Sequence, residues 1–120
     1  MTGHVISRQA SLAVTFRLLD QPDLSIEFVV DTGFTDFLTL PPAAVTALSL
    51  PFLYGMSANL ADDSTVEIPV YLAAILWNGI TQEVRVLATG KRLLLGTALL
   101  DQCRLEAHFV EGGPVIVQAL

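Results

Sequence analysis

From Ser11 to Leu19 the chain alternates strictly, with Leu12, Val14, Phe16 and Leu18 on one face and Ser11, Ala13, Thr15 and Arg17 on the other. A period of two with one apolar face is the pattern of a half-buried strand. Asp20-Gln21-Pro22-Asp23 supplies turn chemistry, and Leu24, Ile26, Phe28 and Val30 then resume the alternation against Ser25 and Glu27. The two runs predict a hairpin whose second strand ends at Asp31. Past that acid the chain turns through Thr32-Gly33 and departs in another apolar run, Phe37 to Leu40.

Pro41-Pro42 opens a short predicted helix over Ala43 to Leu48, because proline suits a first helical turn. Pro51 forbids its continuation. Phe52 to Leu60 and Ser64 to Leu76 read as two arms of a long hairpin with a polar tip at Ala61-Asp62-Asp63, and Pro69 belongs at an edge or bulge of the second arm. Asn78-Gly79 is a strong signal for a tight hairpin turn with positive φ angles, so Thr81 to Ala88 returns as a strand. Leu93-Leu94-Leu95-Gly96 is an apolar run suited to full burial, and Thr97 to Gln102 suits one or two helical turns. Leu105, Ala107 and Phe109 alternate again, Glu111 to Pro114 turns the chain, and Val115 to Ala119 is a final strand. A faint internal echo sets Val86 to Gly90 beside Val29 to Gly33, with Ala88 where the first copy has Asp31.

Composition narrows the reading. A chain of 120 residues, 52% hydrophobic, can bury one sizeable core, so residues 1–120 are read as a single domain. Mean hydropathy of +0.60 with 15% charged residues is high for a small monomer and predicts an apolar surface that meets another chain. No uninterrupted run reaches the length of a membrane span, so no membrane partner is expected. The net charge is -6 and no basic patch occurs, which argues against nucleic acid. The first residues lack a basic region followed by an apolar stretch, so no secretory signal is visible and a cytoplasmic location is expected. Cys103, the only cysteine, excludes an intrachain disulfide and reads as a small apolar residue. His4 and His108 share no ligand spacing, Asp62-Asp63 with Glu67 matches no calcium loop, and no Gly-x-Ser-x-Gly nucleophile motif is present. Neither a metal nor a cofactor is expected.

One residue stands out chemically. Asp31 ends an apolar strand, and a carboxylate drawn out of water needs donors and a partner or titrates abnormally. Val30-Asp31-Thr32-Gly33-Phe34-Thr35, the long hairpin, and Leu93-Leu94-Leu95-Gly96 with its helix follow one another as they do in retropepsin-like aspartic proteases. From about Leu12 to Phe109 the chain resembles the small single-lobed prokaryotic members of that family.

The resemblance implies an all-β fold, a closed and mostly antiparallel acid-protease barrel with one or two short helices. It implies a homodimer that hydrolyses peptide bonds in peptide or protein substrates, each subunit contributing one Asp-Thr-Gly. By position Asp31 is then the catalytic acid, Thr32 the hydroxyl that braces the facing loop, and Gly33 the residue that lets a backbone N–H approach the carboxylates. Tyr54 to Val66 resembles the flap that closes over substrate, and Phe34, Tyr54, Ala61, Asp62 and Leu95 are the implied substrate contacts. Val115 to Ala119, with the N-terminal residues, is the expected dimer interface. Two departures separate this chain from its relatives. Its tip, Asn59-Leu60-Ala61-Asp62-Asp63, lacks the usual glycines, and Thr97-Ala98 stand where an acid or amide commonly follows the Leu-Leu-Leu-Gly run. The intact Asp31-Thr32-Gly33 favours an endopeptidase, whereas the departures favour a dimeric barrel that binds peptides without cleaving them.

Overall fold

A computed structural model describes all 120 residues, from Met1 to Leu120. The elements run β1 (Thr2–Ile6), β2 (Gln9–Arg17), β3 (Leu24–Val30), β4 (Leu38–Leu40), α1 (Pro42–Ala47), β5 (Phe52–Asn59), β6 (Thr65–Trp77), β7 (Ile80–Ala88), β8 (Leu94–Leu95), α2 (Thr97–Leu100), β9 (Cys103–Ala107) and β10 (Pro114–Ala119). The alternating runs lie where their patterns put them. Leu12, Val14 and Phe16 of β2 pair in register with Phe28, Ile26 and Leu24 of β3, and Phe16 and Phe28 stack with ring centroids 6.0 Å apart. Both rings are fully buried with Leu38, Leu40, Ile75, Val86 and Leu95 in one core. Each such side chain contributes about 1.5–3 kcal/mol by leaving water.

Local chemistry sets the turns. Asn78 and Gly79 have φ of 49° and 80°, both in the left-handed region that a type I′ turn requires, and they align Trp77 with Ile80 across the β6–β7 hairpin. Pro69 pairs only towards β5, because the β6–β7 ladder begins at Val70, so its missing N–H costs no bond. Every residue of the short β4 is buried, since it lies between β7, which it parallels, and β8. Thr39 is the polar residue in that stretch. Its hydroxyl donates to the Arg92 carbonyl at 2.9 Å and accepts the Leu94 N–H at 3.0 Å.

The expected closed antiparallel barrel needs correction. All ten strands form one sheet in the order β5-β6-β7-β4-β8-β3-β2-β1-β10-β9, which ends in two edges. β6 also pairs with β2 over Thr15 to Arg17, which curls the sheet over the core without removing those edges. Two pairings, β3 with β8 and β4 with β7, are parallel. β1 was not expected as a strand, and of its five residues only Val5 is buried. β10, the strand expected at the dimer interface, lies between β1 and β9, pairing with β1 over Pro114 to Ile116 and with β9 over Val115 to Ala119. Phe109 lies beyond the end of β9 and is exposed.

Candidate active site

β3 delivers Asp31 to the surface end of the core. Val29 and Val30 pair in parallel with Leu94 and Leu95, and the Asp31 N–H donates to the Leu95 carbonyl at 2.9 Å. The chain then leaves the sheet. The Phe34 N–H returns to the Asp31 carbonyl at 3.1 Å, while the Gly33 N–H donates to Asp31 Oδ1 at 2.9 Å. A backbone donor on one carboxylate oxygen fixes the orientation of the other. A methyl at Gly33 would stand 3.2 Å from that same oxygen, so the close approach favours glycine.

A second glycine locks the loop from behind. Gly96 N–H donates to the Phe37 carbonyl at 2.9 Å, Thr97 N–H to the Phe34 carbonyl at 2.8 Å, and Ala98 N–H to the Asp36 carbonyl at 3.3 Å. These bonds tie the loop after Asp31 to the start of α2. A Cβ at Gly96 would overlap the Asp36 carbonyl oxygen and come within 2.6 Å of the Phe34 ring. The apolar run before Gly96 therefore packs the core while the glycine itself admits the loop.

A third tie reaches the long hairpin. Arg85 on β7 contacts Asp36 Oδ1 at 3.3 Å, donates to the Tyr54 hydroxyl at 3.1 Å, and lies 5.6 Å from the centroid of the Phe37 ring. The Tyr54 hydrogen bond, with the nearby Asp36 charge, raises the Arg85 pKa further, so the guanidinium stays charged. At the far end of the β5–β6 hairpin Asp62 accepts the Ser64 N–H at 3.0 Å and the Ser64 hydroxyl at 2.5 Å. Those bonds, the hydroxyl first, hold the Asp62 carboxyl below the usual carboxylate range.

In front of Asp31 lies a cavity of about 520 Å³ whose walls include Asp31, Thr32, Arg8, Arg92, Leu105 and Phe109. Comparison with known protein families and with curated proteins finds no match. Among solved structures, the retropepsin-like aspartic protease from Rickettsia conorii superposes with a TM-score of 0.61 over 100% of this chain and 96% of that one, at 16% identity. The chain has a retropepsin-like fold.

Within that retropepsin-like fold the structure brings Asp31, Thr32, Gly33 and Phe34 together in one loop and joins Tyr54 to it through Arg85 and Asp36. Ala61 and Asp62 lie exposed at the hairpin tip. Leu95 differs from expectation: it is fully buried in the core, with no surface to offer a substrate. Arg85 and Asp36 were missed because they lie 49 residues apart and nothing local marks them as a pair. Arg8 and Arg92 were missed for the same reason, coming from the turn after β1 and the loop before β8. No group of three or more His, Cys, Asp or Glu side chains converges on a position able to hold a metal, and no helix is long and apolar enough to cross a membrane.

Proposed function

We propose that the chain is an aspartic-type endopeptidase whose working form is a homodimer with one Asp31 from each copy. The observation that carries this reading is the Asp31 carboxylate, oriented by the Gly33 N–H and facing a cavity large enough for a side chain of an extended peptide. A single carboxylate cannot perform the reaction alone. The chain has no second equivalent, since Ala88 occupies the echoed position.

In the proposed dimer the two carboxylates share one proton, because like charges a few ångström apart cannot both ionise. The ionised oxygen takes a proton from a water as that water attacks the peptide carbonyl carbon. The protonated carboxyl gives its proton to the carbonyl oxygen, which yields a neutral tetrahedral diol. Collapse breaks the C–N bond, one diol proton returns to the dyad, and the dyad protonates the departing amine. The β5–β6 hairpin acts as the flap, excluding bulk water, and the peptide lies extended along it through backbone hydrogen bonds.

The test is hydrolysis of a mixed peptide library from acid to neutral pH by wild type and Asp31→Asn. Cleavage with a bell-shaped pH profile, abolished by Asp31→Asn in a chain that still folds, supports the endopeptidase. Cleavage undiminished in the variant would refute it. Binding without cleavage would favour a peptide-binding barrel, a reading supported by Ala98, which carries no polar side chain where relatives place an acid or amide.

A further inference from the structure

The cavity in front of Asp31 is walled in part by two arginines, Arg8 and Arg92. Of the six lysine and arginine side chains, Arg17, Arg85 and Arg104 pair with carboxylates, while Arg8, Lys91 and Arg92 meet none. We propose that Arg8 and Arg92 select peptides with an acidic side chain beside the cleaved bond and receive its carboxylate in this cavity. The proposal rests on the endopeptidase reading above and names the substrate class of that same site.

The backbone fixes where both arginines start. Ser7 and Arg8 form the turn between β1 and β2, with Ile6 opposite Gln9, and their φ angles are 50° and 66°. A turn with both residues in the left-handed region favours asparagine and glycine, so a glycine would sit at position 8 with less strain than Arg8. Strain of that kind is retained where a side chain meets a ligand. The nearby Glu111 carboxylate accepts the Ser7 N–H, its two oxygens at 3.0 and 3.4 Å, and leaves the Arg8 guanidinium unpaired. Arg92 is anchored by its own carbonyl, which accepts the Thr39 hydroxyl at 2.9 Å. Thr39 is 5% exposed and its hydroxyl also accepts the Leu94 N–H at 3.0 Å, so a buried group pins the loop before β8 to the core.

Charge and shape define the occupant. Two guanidinium groups against the single Asp31 carboxylate leave the cavity positive, on a chain whose net charge is -6. In the dimer proposed above the shared proton leaves each Asp31 less than one full charge, which enlarges that surplus. A carboxylate entering the cavity gains charged N–H donors that no other group of the chain occupies. Val29, Val30, Leu105 and Phe109 line the same cavity, so the methylenes of a glutamate can lie on apolar surface while its head reaches the arginines. A basic side chain meets like charge there and is rejected. Because Asp31 and Thr32 are themselves part of the wall, the residue that fills the cavity flanks the bond being cut.

The test walks glutamate, glutamine or lysine through every position of an otherwise neutral peptide, acetylated and amidated so that the side chain is its only carboxylate. A second set carries free C-termini. Cleavage is read as kcat/KM and binding by fluorescence anisotropy, each as the ratio of glutamate to glutamine peptide, which cancels any general loss in a variant. Wild type should favour glutamate at its best position by at least about tenfold, and added salt should shrink the advantage. Arg8→Gln and Arg92→Gln should each lower the ratio and the double variant should abolish it. Arg92→Glu should turn the preference towards lysine, an outcome that loss of structure does not produce. Lys91→Gln removes the same charge from the same loop but outside this cavity, and should leave the ratio unchanged. Glutamate and glutamine peptides treated alike, no binding of either, a ratio unmoved in the double variant, or a preference confined to free C-termini would overturn the proposal. Charge-blind cleavage would do so while leaving the endopeptidase reading standing. An arginine-dependent glutamate preference in binding, with no cleavage of any peptide, would keep the role of the arginines and remove the endopeptidase reading instead.

Discussion

Replacing Gly96 with alanine should unsettle the loop that carries Asp31 more than any other single methyl in the chain's turns. The added carbon would overlap the Asp36 carbonyl oxygen and crowd the Phe34 ring and carbonyl, two of them backbone atoms that cannot rotate away. Relief requires the loop to retreat from α2. That retreat stretches the Gly96, Thr97 and Ala98 N–H bonds to Phe37, Phe34 and Asp36. Overpacking typically costs about 1–3 kcal/mol and each weakened hydrogen bond up to about 1 kcal/mol, so a loss of about 3 kcal/mol is expected. For a domain of this size that lowers the melting temperature by about 10 °C. The control is Gly112→Ala, where φ is 77° but no atom lies within 4 Å of the new carbon, so only backbone strain of about 1 kcal/mol is expected. Thermal and urea unfolding followed by circular dichroism would measure both. A Gly96→Ala chain no less stable than Gly112→Ala would refute the argument that the loop and α2 are interlocked through this glycine.

Arg85→Met should cost less than about 1 kcal/mol in unfolding experiments, since the ion pair to Asp36 is partly exposed, yet it should raise KM for any cleaved peptide by freeing Tyr54 and the base of the hairpin; an unchanged KM would remove that link. Thr32→Ala should weaken dimerisation about fivefold and Thr32→Ser should be nearly silent, as read by sedimentation, if a hydroxyl bond worth about 1 kcal/mol braces the facing loop. Glu106 is held below the usual carboxylate range by the His108 hydrogen bond first and the Arg104 charge second. A depressed carboxyl adds stability that is fully present above the ordinary carboxylate range and is lost as pH falls through its lowered value. Glu106→Gln should accordingly be less stable than wild type at neutral pH, and the gap should close in acid; a gap that persists unchanged at about pH 2 would contradict the assignment.

Much of the fold was legible because the strands that build the core each show it one face. β2, β3 and β7 announce themselves through Leu12, Val14 and Phe16, through Ile26 and Phe28, and through Val84 and Val86, apolar residues that recur at every second position. β1 does not, since Thr2-Gly3-His4 carries no apolar member and the strand is held by backbone bonds to β2 and β10. Pairing between distant strands is what the alternation leaves open. A period of two says which face is buried but not which neighbour lies on each edge, so the open ends at β5 and β9 and the enclosed position of β10 could not be read from Val115 to Ala119. The site divides in the same way. Asp31, Thr32 and Gly33 are adjacent in the chain and bonded to one another, whereas the Arg85 contact with Asp36 and the cavity walls at Arg8 and Arg92 exist only after folding. Leu95 was misplaced because an apolar run beside a glycine looks the same whether it faces a ligand or the core.

The enclosed position of β10 also governs when the site can form. β1 joins the sheet beside β10, and β9 joins only through β10, so the wall of the cavity that holds Leu105 and Ala107 waits for pairings between opposite ends of the sequence. Contacts of such long range are slow to close, because the loop entropy is lost before the bonds are gained. During synthesis the hairpin of β2 and β3 can assemble early and present Asp31 on a half-built surface, while β9 remains without an anchor. The complete cavity would then be a late event, available only to chains whose termini have already found each other.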